Sequence, residues 1–173
     1  MNVLLGIAGG IAAYKAPEVA RALVRRGHEV RCVLTANGAR LVAPAALQAV
    51  TRQPVATTMW SEDGSMPHID LARWCAVLVV APATADLLAR LALGLADDLL
   101  ATLFLALEPG KRVLLAPAMN TVMWEKPVVQ GHLATLRAAG ATVLPPLAGV
   151  LACGEEGVGA MADPEAIAGA LGG

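Results

Sequence analysis

Residues 2–35 read NVLLGIAGGIAAYKAPEVARALVRRGHEVRCVLT. A short apolar run from Asn2 to Ala8 stops at Gly9-Gly10, and a second run follows from Glu29 to Thr35. Each predicts a buried strand. Between them, residues 12–26 carry Val19, Ala22 and Leu23 at helical spacing and end at Gly27. Pro17 is tolerated near the helix start. The unit is strand, glycine turn, helix and strand, which is how a parallel sheet grows.

The same alternation continues down the chain. Pro44 to Val50 predicts a helix, Val55 to Thr58 a short strand, and residues 61–67 a turn-rich loop. His68 to Trp74 predicts one or two helical turns. Ala76 to Ala81 (AVLVVA) is the clearest buried strand. Thr84 to Leu93 and Ala96 to Leu107 predict helices separated by Gly94. Arg112 to Ala116 predicts a strand, Val128 to Ala139 a helix stopped by Gly140, and Ala141 to Leu144 a last strand. Residues 147–161 read as a glycine-rich loop, and Pro164 to Leu171 as a closing helix. The fold class is therefore α/β, one domain over residues 1–173, with a doubly wound Rossmann or flavodoxin-like parallel sheet and helices on both faces. There are too few strands for a barrel.

Composition narrows the function. The chain has 173 residues, 57% of them hydrophobic and 16% charged, with net charge −1. Gly and Pro together make about 16%, below the roughly 25–30% of low-complexity chains. A charge this close to zero, with Lys and Arg scattered, predicts no nucleic-acid partner. The mean hydropathy of +0.61 resembles that of a membrane protein, but the pattern does not. A spanning helix needs about 20 mostly apolar residues. Cys75 to Ala83 is far shorter and contains a proline, and Leu87 to Leu107 is cut by Arg90, Asp97 and Asp98. The start, Met1-Asn2, lacks the basic flank of a secretory leader. The expectation is a cytoplasmic protein without a membrane partner, whose excess apolar surface is covered by homo-oligomerisation. Cys32, Cys75 and Cys153 are too few and too dispersed for a disulfide framework or a zinc site, so no metal is expected. Cys32 and Cys75 lie in or beside strands and read as core. His28 and His132 read as surface.

Ligands of doubly wound sheets sit at the carboxyl ends of the strands, which selects residues 8–13, 35–39, 82–86, 116–124 and 145–161. Gly9, Gly10 and Ile11 let backbone approach an anion at a helix start. A dinucleotide site would place Asp or Glu after the second strand to hold a ribose. Thr35 and Asn37 stand there instead, and hydroxyl and amide suit a phosphate. The pair of loops favours a mononucleotide over NAD; a tight turn without ligand is the other reading. Thr84 can cap a helix or, with Asp86, touch the polar tail of a ligand. Asn120, between Met119 and Met123, can likewise be a helix cap. Asp97-Asp98 reads as a helix start. Gly154, Gly157 and Gly159 flank a segment bearing the Cys153 thiol and read as a movable lid.

At this point five segments, in order, resemble the flavin-containing cysteine decarboxylases. They are GGIAAYK (9–15), HIDLARW (68–74), APATA (81–85), PAMNTVMW (117–124) and ACG (152–154). The resemblance implies FMN at a subunit interface of a trimer, sometimes gathered into a dodecamer. It implies a lyase that oxidises a cysteine moiety at its thiol and loses carbon dioxide from the resulting thioaldehyde. The enethiol that remains is then reduced. The closest branch acts on 4'-phosphopantothenoylcysteine to give 4'-phosphopantetheine in coenzyme A biosynthesis. By motif position His68 resembles the base, Asn120 the ligand of the substrate carboxylate, and Cys153 the proton donor. The implied flavin set is Gly9, Gly10, Ile11, Thr35, Asn37, Thr84, Asp86 and Met119. The implied substrate set is Asn120, Met123, Val150, Ala152 and Met161. A histidine can move a proton near neutral pH, and an asparagine donates a hydrogen bond without neutralising the carboxylate.

Two positions depart from the family pattern. Asp86 stands where the family commonly has Asn, and Ala160 where the coenzyme A enzymes commonly have Arg. A second branch decarboxylates the C-terminal cysteine of ribosomal peptides and stops at the enethiol. Ala160 leans toward that branch and Cys153 toward the first. A non-catalytic flavin-binding regulatory subunit is a third reading, opposed by His68, Asn120 and Cys153 together. The chain can be a standalone protein or one domain of a bifunctional enzyme.

Overall fold

A computed structural model describes residues 1–60, 64–152 and 154–172. Its strands are β1 (Asn2–Ile7), β2 (Glu29–Leu34), β3 (Val55–Ala56), β4 (Val77–Ala83), β5 (Arg112–Pro117) and β6 (Thr142–Val143). All pair in parallel, in the order β3-β2-β1-β4-β5-β6. That is the Rossmann order, with the direction of winding reversing between β1 and β4. A tight turn over Ile11–Lys15 leads into α1 (Ala16–Arg25). The remaining helices are α2 (Ala36–Ala39), α3 (Pro44–Thr51), α4 (Pro67–Trp74), α5 (Ala85–Leu93), α6 (Leu99–Leu105), α7 (Thr121–Trp124), α8 (Pro127–Ala138) and α9 (Pro164–Gly169).

The period of two along each strand sends successive side chains to opposite faces. Val3, Leu5 and Ile7 of β1 join Val77 and Val79 of β4 on one face. They pack on Val19 and Leu23 of α1, Leu47 of α3 and Ile167 of α9. Leu4, Leu78 and Val80 face the other way, onto Leu88 of α5, Leu100 and Leu103 of α6 and Leu133 of α8. Each of these leucines is almost fully buried and contributes roughly 1.5–3 kcal/mol. Two covered faces explain why the strands read as continuous apolar runs rather than alternating ones. Among the described residues, no helix is long and apolar enough to cross a membrane.

Four differences from the sequence expectations have physical causes. Residues 147–161 contain an antiparallel hairpin, β7 (Leu147–Val150) with β8 (Glu156–Ala160), rather than a loop. Two of its glycines serve close approach. A Cβ on Gly157 would lie 2.2 Å from Thr121 Oγ1, and one on Gly159 would lie 2.0 Å from the Met119 carbonyl oxygen. The helix expected from Ala96 is shorter, because Asp98 caps α6 by accepting a hydrogen bond from Ala101 N–H at 2.8 Å. The helix expected over residues 12–26 begins as a tighter turn before α1. His28 is buried, 8% exposed, instead of lying on the surface. It sits where the chain doubles back from α1 into β2, and its Nε2 finds no hydrogen-bond partner among the described residues. Burial, then the nearby N-terminal amine and Arg26, push its pKa down.

Candidate functional site

One cavity of about 880 Å³ opens at the carboxyl end of the sheet, over the point where the winding reverses. Backbone hydrogen bonds stitch its walls together. Ala8 N–H donates to the Pro82 carbonyl (3.2 Å), joining the ends of β1 and β4. Ala118 N–H donates to Ala83 (3.2 Å), and Met119 N–H to Gly159 (3.0 Å), bringing in the end of β5 and the hairpin.

The first wall is Ala8 to Ala12 with Thr35, Ala36 and Asn37. Gly9 leaves no room for a side chain, since a Cβ there would lie 2.2 Å from Asn37 Cβ. Thr35 Oγ1 caps α2 by accepting from Gly38 N–H at 3.0 Å. Thr84 Oγ1, on the second wall, caps α5 by accepting from Leu87 N–H at 3.3 Å. Capping uses these oxygens as acceptors and leaves each hydroxyl proton to donate. The two readings of Thr84 are therefore compatible, because it caps and also lines the cavity.

Asp86 and Arg90 stand one turn apart on α5, and both line the cavity. Arg90 Nε donates to Asp86 Oδ2 at 2.9 Å, while its Nη1 pairs with Asp97. The Arg90 hydrogen bond holds the Asp97 carboxyl below its ordinary pKa, and the two carboxylates raise that of Arg90. The Asp97-Asp98 pair thus divides its work, one bonding Arg90 and the other capping α6.

The third wall carries Ala118, Met119, Asn120 and Met123, and the hairpin adds Val150 to Ala152 and Gly159 to Met161. Asn120 Oδ1 accepts from Val122 N–H at 2.8 Å, so it caps α7, and its Nδ2 donates to Glu155 Oε2 at 3.0 Å. Ile11, Tyr14, Met123 and Val150 line the cavity and are exposed, Val150 by 70%.

The structure thus gathers Gly9, Gly10, Ile11, Thr35, Asn37, Thr84, Asp86 and Met119, together with Asn120, Met123, Val150, Ala152 and Met161, around one cavity. It does not bring His68 there. His68 lies in the first turn of α4, half-buried, and its buried Nδ1 has no hydrogen-bond partner among the described residues. Cys153 lies outside the described residues. Cys32 and Cys75 are buried free thiols. Among the described residues, no cluster of three or more His, Cys, Asp or Glu side chains is arranged to hold a metal. Sequence reasoning missed Tyr14, Arg90 and Glu155. The Asp86/Arg90 spacing of four on a predicted helix was a usable signal for Arg90; Glu155 left none, because its partner is 35 residues away.

Comparison with known proteins agrees with this geometry. The family described as Flavoprotein matches residues 1–171. The coenzyme A biosynthesis bifunctional protein CoaBC of Vibrio parahaemolyticus is 43% identical over 165 residues, covering 94% of this chain and 41% of that protein. The chain spans about two fifths of the length of the curated relatives it matches. The structure of a PPC decarboxylase mutant complexed with pantothenoylaminoethenethiol superposes with a TM-score of 0.88 at 35% identity, over 98% of this chain and 95% of that one. The FMN-dependent cysteine decarboxylase SpaF gives a TM-score of 0.85 at 35% identity, over 99% and 95% of the two chains.

Proposed function

The chain belongs to the Flavoprotein family, and on that premise we propose that it is an FMN-dependent cysteine decarboxylase acting on phosphopantothenoylcysteine. The observation that carries the reading is the cavity at the sheet's switch point, with Gly9, Gly10, Thr35 and Asn37 on one wall and Asn120 on another. The residues fit FMN. Gly9 and Gly10 put no side chain into the wall, Thr35 and Thr84 offer hydroxyl protons, Asn37 offers an amide, and no carboxylate follows β2 to repel a phosphate. A cavity of 880 Å³ lies toward the upper end of the roughly 300–1,000 Å³ of small-molecule sites. When bound, FMN supplies the two-electron oxidation that makes a thiocarbonyl beside the carboxylate, the sink that decarboxylation needs.

The protein's own groups place the substrate and move protons. The Asn120 amide holds the carboxylate without neutralising it, so its charge still drives release of carbon dioxide. His68 takes a proton from the substrate, and Cys153 delivers one to carbon in the closing reduction. His68 is outside this chain's cavity, and Ile11, Tyr14, Met123 and Val150 leave the rim apolar and exposed. Both observations support a site completed by a second copy, which brings its His68 across the interface in a homotrimer or a multiple of it. That His68 Nδ1 has no hydrogen-bond partner among the described residues is consistent with that placement.

A peptide ending in cysteine is the second reading. Ala160 favours it, because it lines the cavity without the charge an anionic substrate would use. Mass spectrometry of products from each substrate decides. Conversion of phosphopantothenoylcysteine to phosphopantetheine is the expected result. Turnover of the peptide alone, ending at an enethiol, replaces the first reading with the second.

A further inference from the structure

Asn120 is already engaged: its Nδ2 donates to Glu155 Oε2 at 3.0 Å. Both partners are fixed from behind. Asn120 Oδ1 accepts from Val122 N–H, which sets the amide's orientation and turns its NH2 toward Glu155. Glu155 lies in the turn between β7 and β8. Leu151 N–H donates to the Glu155 carbonyl, and Gly154 N–H to the Leu151 carbonyl, both at 2.8 Å. Further along the hairpin, Met119 N–H donates to Gly159, and Gly157 passes against Thr121. The contact joins two anchored segments, and it sets an internal carboxylate on the amide assigned above to the substrate's carboxylate.

We propose that Glu155 is a stand-in for the substrate carboxylate. It keeps Asn120 oriented while the site waits, is displaced when a carboxylate-bearing ligand binds, and returns as that carboxylate leaves as carbon dioxide. The inference rests on the reading of Asn120 given above. No covalent bond to Glu155 forms or breaks; a hydrogen bond and the position of one negative charge are exchanged. A ligand carboxylate that takes the Asn120 N–H now given to Glu155 breaks that bond and sits beside a like charge, which weakens its binding. A ligand that has lost its carboxylate does neither. Glu155 thereby sets the discrimination between substrate and decarboxylated product, and it favours the side of the reaction on which the carboxylate is gone.

Calorimetry on the FMN-loaded protein tests this with two probes. One is the substrate analogue with serine in place of cysteine, which keeps the carboxylate and has no thiol to oxidise. The other is phosphopantetheine, which has no carboxylate. Glu155→Gln removes the charge, and Glu155→Asp keeps the charge but shortens its reach. Both variants are expected to bind the serine analogue about three- to tenfold more tightly, Glu155→Gln because the like charge is gone and Glu155→Asp because the hydrogen bond no longer reaches, with phosphopantetheine unchanged. Glu156→Gln, which removes the adjacent exposed charge, is expected to change neither. An unchanged or weakened serine analogue, or an equal shift in both probes, overturns the proposal. Should Glu155→Gln fail to hold flavin, Glu155→Asp carries the test. If the wild type binds a serine-terminated peptide and not the analogue, the substrate reading fails. The same peptide with and without its terminal carboxylate then reads the exchange.

Discussion

Replacing Gly9 by alanine adds one carbon at the junction of two strand-end loops. That Cβ would lie 2.2 Å from Asn37 Cβ, 2.8 Å from Asn37 C and 3.0 Å from Asn37 Cα. Carbon atoms rest at about 3.5–4.0 Å, so the loops must part by roughly 1.3 Å or more. The backbone at Gly9 is not in the left-handed region, so the cost is contact alone. Asn37 cannot retreat freely, because α2 is capped by Thr35 and Gly38 packs against the Ile7 carbonyl. Overpacking of this kind costs about 1–3 kcal/mol. Felt in the cradle, that lowers FMN affinity by about 5–150-fold. Felt in the fold, it lowers Tm by about 2–4 °C for each kcal/mol. Gly131→Ala is the control. It lies on α8 with nothing within 4 Å of an added Cβ, and it should gain roughly 0.5–1 kcal/mol. Flavin content, fluorescence titration with FMN and thermal melts read both variants. A Gly9→Ala protein that binds FMN as the wild type does, and melts like Gly131→Ala, refutes the assignment of this wall to the cofactor.

Three further outcomes follow from the site and the core. His68→Asn and Asn120→Ala should each abolish turnover, yet mixing the two denatured chains and refolding them together should restore part of it; no recovery places both residues of a site on one chain. Cys153→Ser should still release carbon dioxide but accumulate the enethiol, since a hydroxyl is a far weaker acid than a thiol of ordinary pKa about 8.5; the fully reduced thiol at the wild-type rate would remove Cys153 from proton delivery. Burial pushes the Cys32 thiol from 9.0 up to about 12, so folding favours its protonated form. That stability is full below pH 9 and is lost as pH rises through 12, a span worth about 4 kcal/mol. Urea melts of Cys32→Ala against wild type should show a shallower alkaline loss, and parallel slopes would contradict the cause given.

The sheet was legible because its signal is local and redundant. The runs at Asn2 and Val77 are apolar at nearly every position and the run at Glu29 at four of six, and Gly27, Gly94 and Gly140 mark helix ends with left-handed backbone. The hairpin at 147–160 was not legible. Gly149, Gly157 and Gly159 argue against strand on propensity. The reason for two of them is a tertiary contact with Thr121 and Met119, which no local pattern encodes. His28 was misread for a related reason: a polar residue after a glycine turn looks exposed until the return of the chain buries it. The cavity walls were readable because the carboxyl ends of parallel strands must converge. The place of His68 was not, because α4 packs under α6, on the second face of the sheet.

The charge pattern also answers the departure at Asp86. A bare carboxylate in a flavin cavity would oppose an anionic ligand. Here Arg90 reaches Asp86 and Asp97 together, and Asp98 is turned to capping. This end of the cavity is internally paired, and it offers an incoming phosphate nothing that the two carboxylates do not already hold. At the other end, Lys15 lines the cavity, half-buried beside Tyr14, and pairs with no carboxylate among the described residues. Gly9, Gly10, Thr35 and Asn37 share that end. The cavity is therefore polarised, with Lys15 and the Thr35 and Asn37 side chains at the first wall and the paired Asp86, Arg90 and Asp97 cluster at the other end. The residues that follow β2 at the first wall, Thr35 to Gly38, include no carboxylate that would repel an anion. The substitution of Asp for Asn at position 86 is thus absorbed by Arg90 one turn later, and it costs the site no phosphate donor.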